Sequence, residues 1–150
     1  SPTFMQHSQQ SVCNDLAFGS MLVKPSDFDL DHLSELKCAL WIATPVLKVL
    51  PYSQLPGLEL LNHLPHHYQA LFVYGGYWRA DYIYPEKSQP HILYGRSSNQ
   101  EMLQVPKQCN IAVDDYVFLR PPQSEAIIPQ FANLYAYEQG KFKVWNTFRE

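Results

Sequence analysis

From residue 70 to the C-terminal end, the chain is cut into short runs of aromatic and β-branched residues, separated by Pro, Gly and polar turns. The runs cover residues 70–74, 81–84, 91–94, 116–119, 125–128, 134–137 and 142–145. Runs of this length and chemistry predict strands, and many short strands with this punctuation predict a barrel or a sandwich. Aromatics make up 14% of the chain, with 10 Tyr and 8 Phe. Many stand in alternating or β-branched company, which suits a pleated surface better than a helix. The last two runs flank Glu138-Gln-Gly140-Lys141, a hairpin turn in which glycine is available for a positive φ angle.

The first third is less regular. Residues 9–18 are a helix candidate, with Ser8 or Ser11 as cap and Gly19 as stop. Residues 20–24 form a short apolar run ended by Pro25, a plausible strand. Ser26 or Asp27 is placed to cap a short helix carrying Leu30, Leu33 and Leu36. Residues 38–44 are compact and apolar and predict a buried strand, which Pro45 turns into a bulge or an edge. Residues 51–67, rich in Pro, Leu and His, predict a loop with one helical turn at 58–61. The expected fold is mainly β with a few short helices.

The 150 residues suit one domain, and 46% hydrophobic against 17% charged residues suits a soluble, packed core. A net charge of −3 lacks the basic footprint of a nucleic-acid binder. No apolar run approaches the roughly 20 residues of a membrane helix. The longest, residues 38–49, is interrupted by Thr44, Pro45 and Lys48. Cys13, Cys38 and Cys109 are odd in number and widely spaced, which predicts free thiols in a reducing cytoplasm. The chain opens on Ser1-Pro2-Thr3, without an initiator Met or a signal-peptide pattern, and is read as a fragment of a cytoplasmic protein.

Four clusters are candidates for chemistry. His63, His66 and His67 are close in sequence, but Pro65 interrupts a shared helical face and no H-E-x-x-H pattern accompanies them. Solvated loop histidines are the expected reading. Asp114-Asp115 would point to opposite faces of a strand, so a turn entering the strand at Tyr116 is expected. Arg96 precedes the polar cluster Ser97, Ser98, Asn99, Gln100 and Glu101; it either pairs with a carboxylate or phosphate, or belongs to a solvated loop. Arg120-Pro-Pro-Gln-Ser-Glu125 is a second polar segment, and its prolines fix where Gln123, Ser124 and Glu125 point. No G-x-S-x-G, P-loop or G-x-G-x-x-G motif occurs, and spacing alone assigns no nucleophile.

Several stretches, taken in order, resemble the C-terminal half of the D-threonine aldolase and D-serine dehydratase-like family. They are Ser1-Pro-Thr-Phe4, Asn14-Asp-Leu-Ala-Phe-Gly-Ser20 with Leu22-Val-Lys-Pro-Ser-Asp-Phe28, Tyr74-Gly-Gly-Tyr-Trp-Arg-Ala80, and Tyr94-Gly-Arg-Ser-Ser-Asn-Gln-Glu101 with Arg120-Pro-Pro-Gln-Ser-Glu-Ala126. These are fold-type III pyridoxal-phosphate enzymes, related in architecture to alanine racemase. Within the family the stretches are most similar to bacterial deaminase- or aldolase/racemase-like members.

The resemblance implies a (β/α)₈ barrel that carries the Schiff-base lysine and most contacts to pyridoxal 5′-phosphate. A C-terminal alanine racemase-like β-barrel or sandwich domain would close the site, usually over the barrel of the partner in a homodimer. Residues 1–20 would be the end of the barrel and residues 21–150 the β-domain, with Ser1 and Thr3 in the tail of the phosphate-binding turn. Lys24 carries no mark of the Schiff-base residue. Metal-dependent members hold a divalent ion at the positions matched by Gln123 and Glu125. An amide and a carboxylate are poor zinc ligands, though they can hold Mg²⁺ or Mn²⁺ weakly, so metal dependence is in doubt. Gln123, Ser124 and Glu125 are the expected catalytic, substrate-side residues, and Arg96 and Asn99 the expected substrate-binding ones, for a D-amino acid. A non-catalytic β-domain for binding or dimerisation is the alternative.

Overall fold

The computed structural model describes residue 10, residues 12–53 and residues 67–148. It is mainly β, with 37% strand and 10% helix. It contains two compact units, one of residues Trp41–Arg120 and one of Ser1–Leu40 with Pro121–Glu150.

The Trp41–Arg120 unit is a six-stranded antiparallel sheet curled into a nearly closed barrel-like form. Its strands are β1 (Ile42–Leu50), β2 (Tyr68–Tyr74), β3 (Asp81–Tyr84), β4 (Gln89–Pro90), β5 (Gln100–Pro106) and β6 (Tyr116–Arg120), in the order β3-β6-β1-β2-β5-β4. Alternation along each strand builds the core. Val46 of β1, Leu71 and Val73 of β2, Leu103 and Val105 of β5 and Val117 of β6 are fully buried together. Burying each such side chain contributes about 1.5–3 kcal/mol relative to leaving it exposed.

Pro45 sits inside β1, a central strand, and its place there has a local cause. Val46 turns its N–H to Asp115 (2.8 Å) and its carbonyl to the N–H of Asp114 (3.0 Å), on the β6 side. The ladder to β2 begins only at Val46↔Val73, and the Tyr74 carbonyl beyond it accepts from Thr44 Oγ1 at 3.0 Å. The proline therefore removes no ladder bond. A register shift between Val46 and Lys48 supplies the expected bulge.

The other unit is built from 3₁₀ turns and one hairpin. Its turns are Ser20–Val23, Ser26–Phe28, Asp31–Leu33 and Ile128–Gln130, and Met21, Leu33 and Ile127 are buried. Strands β7 (Asn133–Glu138) and β8 (Lys141–Asn146) pair only with each other. They are joined by Gln139 (φ 49) and Gly140 (φ 81), the paired positive φ angles of a two-residue hairpin turn.

Several sequence expectations are corrected. No helix forms at residues 12–18, and residues 20–24 are a 3₁₀ turn ending in the left-handed Lys24 (φ 41), not a strand. Lys24 is buried, and its ammonium donates to the Leu36 carbonyl (2.6 Å) and lies 3.8 Å from Asp29. The predicted Ser26/Asp27-capped helix is two separate 3₁₀ turns. The run at 38–44 becomes strand only from Ile42. Residues 91–94 form a turn rather than a strand, with the strand displaced to Gln89–Pro90. Residues 125–128 are also turns, because their backbone closes locally: the N–H groups of Ile127 and Ile128 both reach the Ser124 carbonyl. The loop at 51–67, with His63 and His66, lies mostly outside the described residues; His67 is exposed.

Candidate functional site

The polar segment after Arg96, read from sequence as a loop, ends inside the barrel. Gln100 and Glu101 open β5, and strand alternation puts Glu101 on the same face as Leu103 and Val105. Glu101 is 1% exposed. A buried carboxylate must be paired and hydrogen-bonded. Its Oε1 accepts from the Tyr82 hydroxyl (2.9 Å) and lies 3.4 Å from Arg96 Nη1, while its Oε2 accepts from the Ser97 N–H (3.3 Å).

Arg96 is fixed on several sides. Its Nη2 donates to the Ala80 carbonyl, and its guanidinium carbon lies 4.7 Å from the centre of the Tyr82 ring. Burial, and then the Glu101 carboxylate, push the Tyr82 phenol far above its ordinary range, so it remains a hydroxyl donor.

The loop carrying Arg96 is clamped by the glycine pair that follows β2. The N–H groups of Gly76 (2.9 Å) and Tyr77 (3.3 Å) donate to the Ser97 carbonyl, and that of Gly75 donates to the Asn99 carbonyl. A Cβ on Gly75 would run into the Ser97 carbonyl, and one on Gly76 into the Trp78 ring. Close backbone approach is what demands glycine at position 75.

On the other side of Arg96, residues 91–95 fold into a tight turn. The His91 N–H donates to Met102, the Gly95 N–H to the His91 carbonyl (2.7 Å), and the Leu93 N–H to His91 Nδ1 (3.3 Å). Burial holds the His91 imidazole below its ordinary range, which keeps Nδ1 an acceptor. Between turn and clamp lies an open cavity of about 390 Å³. Phe72, Tyr94 and Met102 form its apolar side, and Gly95, Arg96, Ser97 and Gln100 the rest.

The second expected group lies in the other unit. The Ser20 and Ser124 hydroxyls are 2.7 Å apart, the Ser124 N–H donates to Ser20 Oγ (3.0 Å), and Ser124 Oγ donates to Glu125 Oε2 (3.1 Å). Hydrogen bonding, first from Ser20, then from the Glu125 backbone and from Ser124, holds the Glu125 carboxyl below its ordinary range. Ser124 is buried, and Glu125 is exposed.

Of the residues singled out from sequence, Arg96 and Asn99 share one unit and Gln123, Ser124 and Glu125 the other; Ser1 and Thr3 lie outside the described residues. Asn99 acts through its backbone, with its carbonyl on Gly75 and its N–H on Ser97 Oγ. Asp115 accepts from the Ala112 N–H (2.8 Å) and Asp114 has φ 73, so this pair is a turn into β6, as expected. All three cysteines are free thiols. Sequence reasoning missed Glu101 and Tyr82. The signal was there: continuing the strand period from Val105 back through Leu103 reaches Glu101.

Among the described residues, no group of three or more His, Cys, Asp or Glu side chains is placed to hold a metal ion. Nor does the Ser20–Ser124 pair fit a cofactor phosphate: its hydroxyls are turned to the Glu125 carboxylate, whose charge would repel that anion. No helix among the described residues is long and apolar enough to cross a membrane. No family profile, curated protein or solved structure matches the chain.

Proposed function

We propose that the chain is the C-terminal β portion of a cytoplasmic pyridoxal-phosphate-dependent lyase or racemase acting on D-amino acids. The supporting observation is that two stretches carrying the resemblance, residues 74–80 and 94–101, interlock through Gly75, Gly76, Ser97 and Asn99. The matched Gly75 is demanded by the Ser97 and Asn99 backbone and Gly76 by the Trp78 ring, so the likeness falls on constrained positions rather than free surface. Residues 1–20 are then the end of the cofactor-binding barrel, which supplies the cofactor contacts, Ser1 and Thr3 among them.

When bound, the cofactor stabilises negative charge at the substrate α-carbon. This chain's own residues orient and exclude. Arg96, held rigid by Glu101 and Tyr82, presents cationic N–H groups to a substrate carboxylate, and Asn99 sets the loop. In the other unit, Glu125, kept ionised, is an acceptor for an ammonium or hydroxyl group, Ser124 fixes its position, and Gln123 offers an amide donor and acceptor.

The complete protein, supplied with cofactor, is assayed for elimination, retro-aldol cleavage and racemisation of D-serine and D-threonine. Gln123→Ala and Glu125→Ala should each reduce turnover by about tenfold or more with an unchanged unfolding midpoint. Unchanged kinetics in both variants reject these roles, and no cofactor-dependent turnover of any D-amino acid rejects the reading.

A second reading, a β-domain for dimerisation, is favoured by the hairpin. Tyr135, Tyr137, Phe142 and Val144 share one face of β7–β8, and each is more than half exposed. An isolated two-stranded ribbon is marginal in water, and an apolar face of this kind suits an interface. Phe142→Lys should then convert a dimer to a monomer in sedimentation; a monomeric parent protein removes this reading.

A further inference from the structure

We propose that the cavity on the outer face of β2 and β5 binds a small neutral molecule: an aromatic ring with an amide-like edge, where a hydrogen-bond donor and acceptor stand side by side. At about 390 Å³ the cavity falls within the size range of small-molecule sites. The inference goes beyond the proposed function and does not rest on it.

Strand register builds the floor. Phe72 of β2 stands opposite Met102 of β5, with Gln100 two residues before Met102. Their neighbours Leu71, Val73, Glu101 and Leu103 are buried in the barrel, so Phe72, Gln100 and Met102 share its outer face. Residues 94–97 form the wall. That wall is fixed on both sides. The His91–Gly95 turn sets one side, with the Tyr94 and His91 rings 5.1 Å apart, and the Ser97 carbonyl held by Gly76 and Tyr77 sets the other. A preformed site loses little ordering entropy on binding.

Charge sets the ligand class. The Arg96 guanidinium is held at Glu101, Ala80 and Tyr82, on the opposite face of β5, and Glu101 matches its charge there. Among the described residues, no acidic side chain lines the cavity. Lys48 stands across from Phe72 in the register, but it is exposed to water and is not a lining residue. A carboxylate or an ammonium entering the cavity would lose water and gain no counter-charge. A neutral molecule meets no such cost.

Hydrogen-bonding capacity and lining set the rest. The Gln100 side-chain amide has no partner among the described residues. It carries two donors and an acceptor in one plane, which a ligand edge with its own donor and acceptor satisfies together. Phe72 and Tyr94 supply aromatic surface and Met102 a thioether, and both pack favourably against a ring. An aromatic amide or a lactam-like heterocycle carries both required parts.

The test titrates three probes into the full chain with isotope-labelled methionine methyl groups, followed by NMR. Benzamide carries the ring and the amide edge, acetophenone has the same shape without the amide N–H, and benzoate has the ring with a charge. Benzamide should shift the Met102 methyl and leave that of Met21, in the other unit, unmoved. It should bind about three- to tenfold tighter than acetophenone, the difference one neutral hydrogen bond makes, and tighter than benzoate by at least as much. Gln100→Leu should bring benzamide to within about twofold of acetophenone, and Tyr94→Ala should weaken both about fivefold or more. Both positions are exposed, so the unfolding midpoint should hold in each variant. An unmoved Met102 methyl, acetophenone or benzoate binding as tightly as benzamide, or a benzamide preference that survives Gln100→Leu would each overturn the site. No cofactor or D-amino acid enters the experiment, so its failure leaves the proposed function standing.

Discussion

Replacing Arg96 with Met would strand the Glu101 carboxylate inside the barrel. Two donors would remain to it, the Tyr82 hydroxyl and the Ser97 N–H. Removing one partner of a buried ion pair costs about 3–5 kcal/mol. The Arg96 side chain is 27% exposed, so solvent screens part of the attraction. The remaining donors soften the loss further. The expected cost is therefore about 2–3 kcal/mol, a large share of the roughly 5–15 kcal/mol that holds a domain together. Glu101→Gln added to Arg96→Met removes the stranded charge and keeps an acceptor for Tyr82. The double variant should then be more stable than Arg96→Met alone, with a coupling of about 1–2 kcal/mol. Urea unfolding of the parent, both single variants and the double closes the cycle. A cost below about 0.5 kcal/mol for Arg96→Met, or strict additivity, would show that Glu101 does not depend on Arg96 and refute the network.

Other outcomes follow from the same geometry. Gly75→Ala forces a Cβ against the Ser97 backbone and should cost about 2–3 kcal/mol, whereas Gly95→Ala, with open space and only a positive φ (60) to strain, should cost about 1 kcal/mol; reversed order in thermal unfolding would contradict the clamp. Burial lowers the His91 pKa, so its stabilising contribution is present above the ordinary histidine value of about 6.5 and is lost as pH falls through the folded value. The urea midpoint should thus fall on acidification below about pH 6.5, and His91→Asn, which keeps a side-chain acceptor, should flatten that slope; an unaltered slope rules His91 out as its source. Ser20→Ala removes the first donor to Glu125, so the Glu125 carboxyl should titrate at higher pH in carbon-detected NMR; an unmoved titration would mean that Ser20 does not hold it.

What was legible in the sequence was local. The hairpin was readable because Gly140 marks its turn and the flanking runs alternate, and β2, β3 and β6 because their apolar runs are short and bounded. The turns at 91–94 and 125–128 read as strands because their composition is strand-like, while backbone groups three or four residues apart satisfy one another first. The 3₁₀ turns of residues 20–33 were misread because a few apolar residues beside Pro25 fit a short strand or helix equally well.

Composition and alternation by themselves determined that this chain is a β protein with a packed apolar interior, since a side-chain period of two is a property of the strand and needs no partner to be read. Tertiary structure alone decided that Glu101 is an interior charge rather than the tip of a polar loop, and that Tyr82, Arg96 and the Gly75–Gly76 pair meet around it. Those residues come from segments up to 26 positions apart. Nothing local in any of them specifies the others. Only the closing of the sheet brings the charge, its donors and the backbone clamp within hydrogen-bond reach, and desolvation then makes their pairing obligatory.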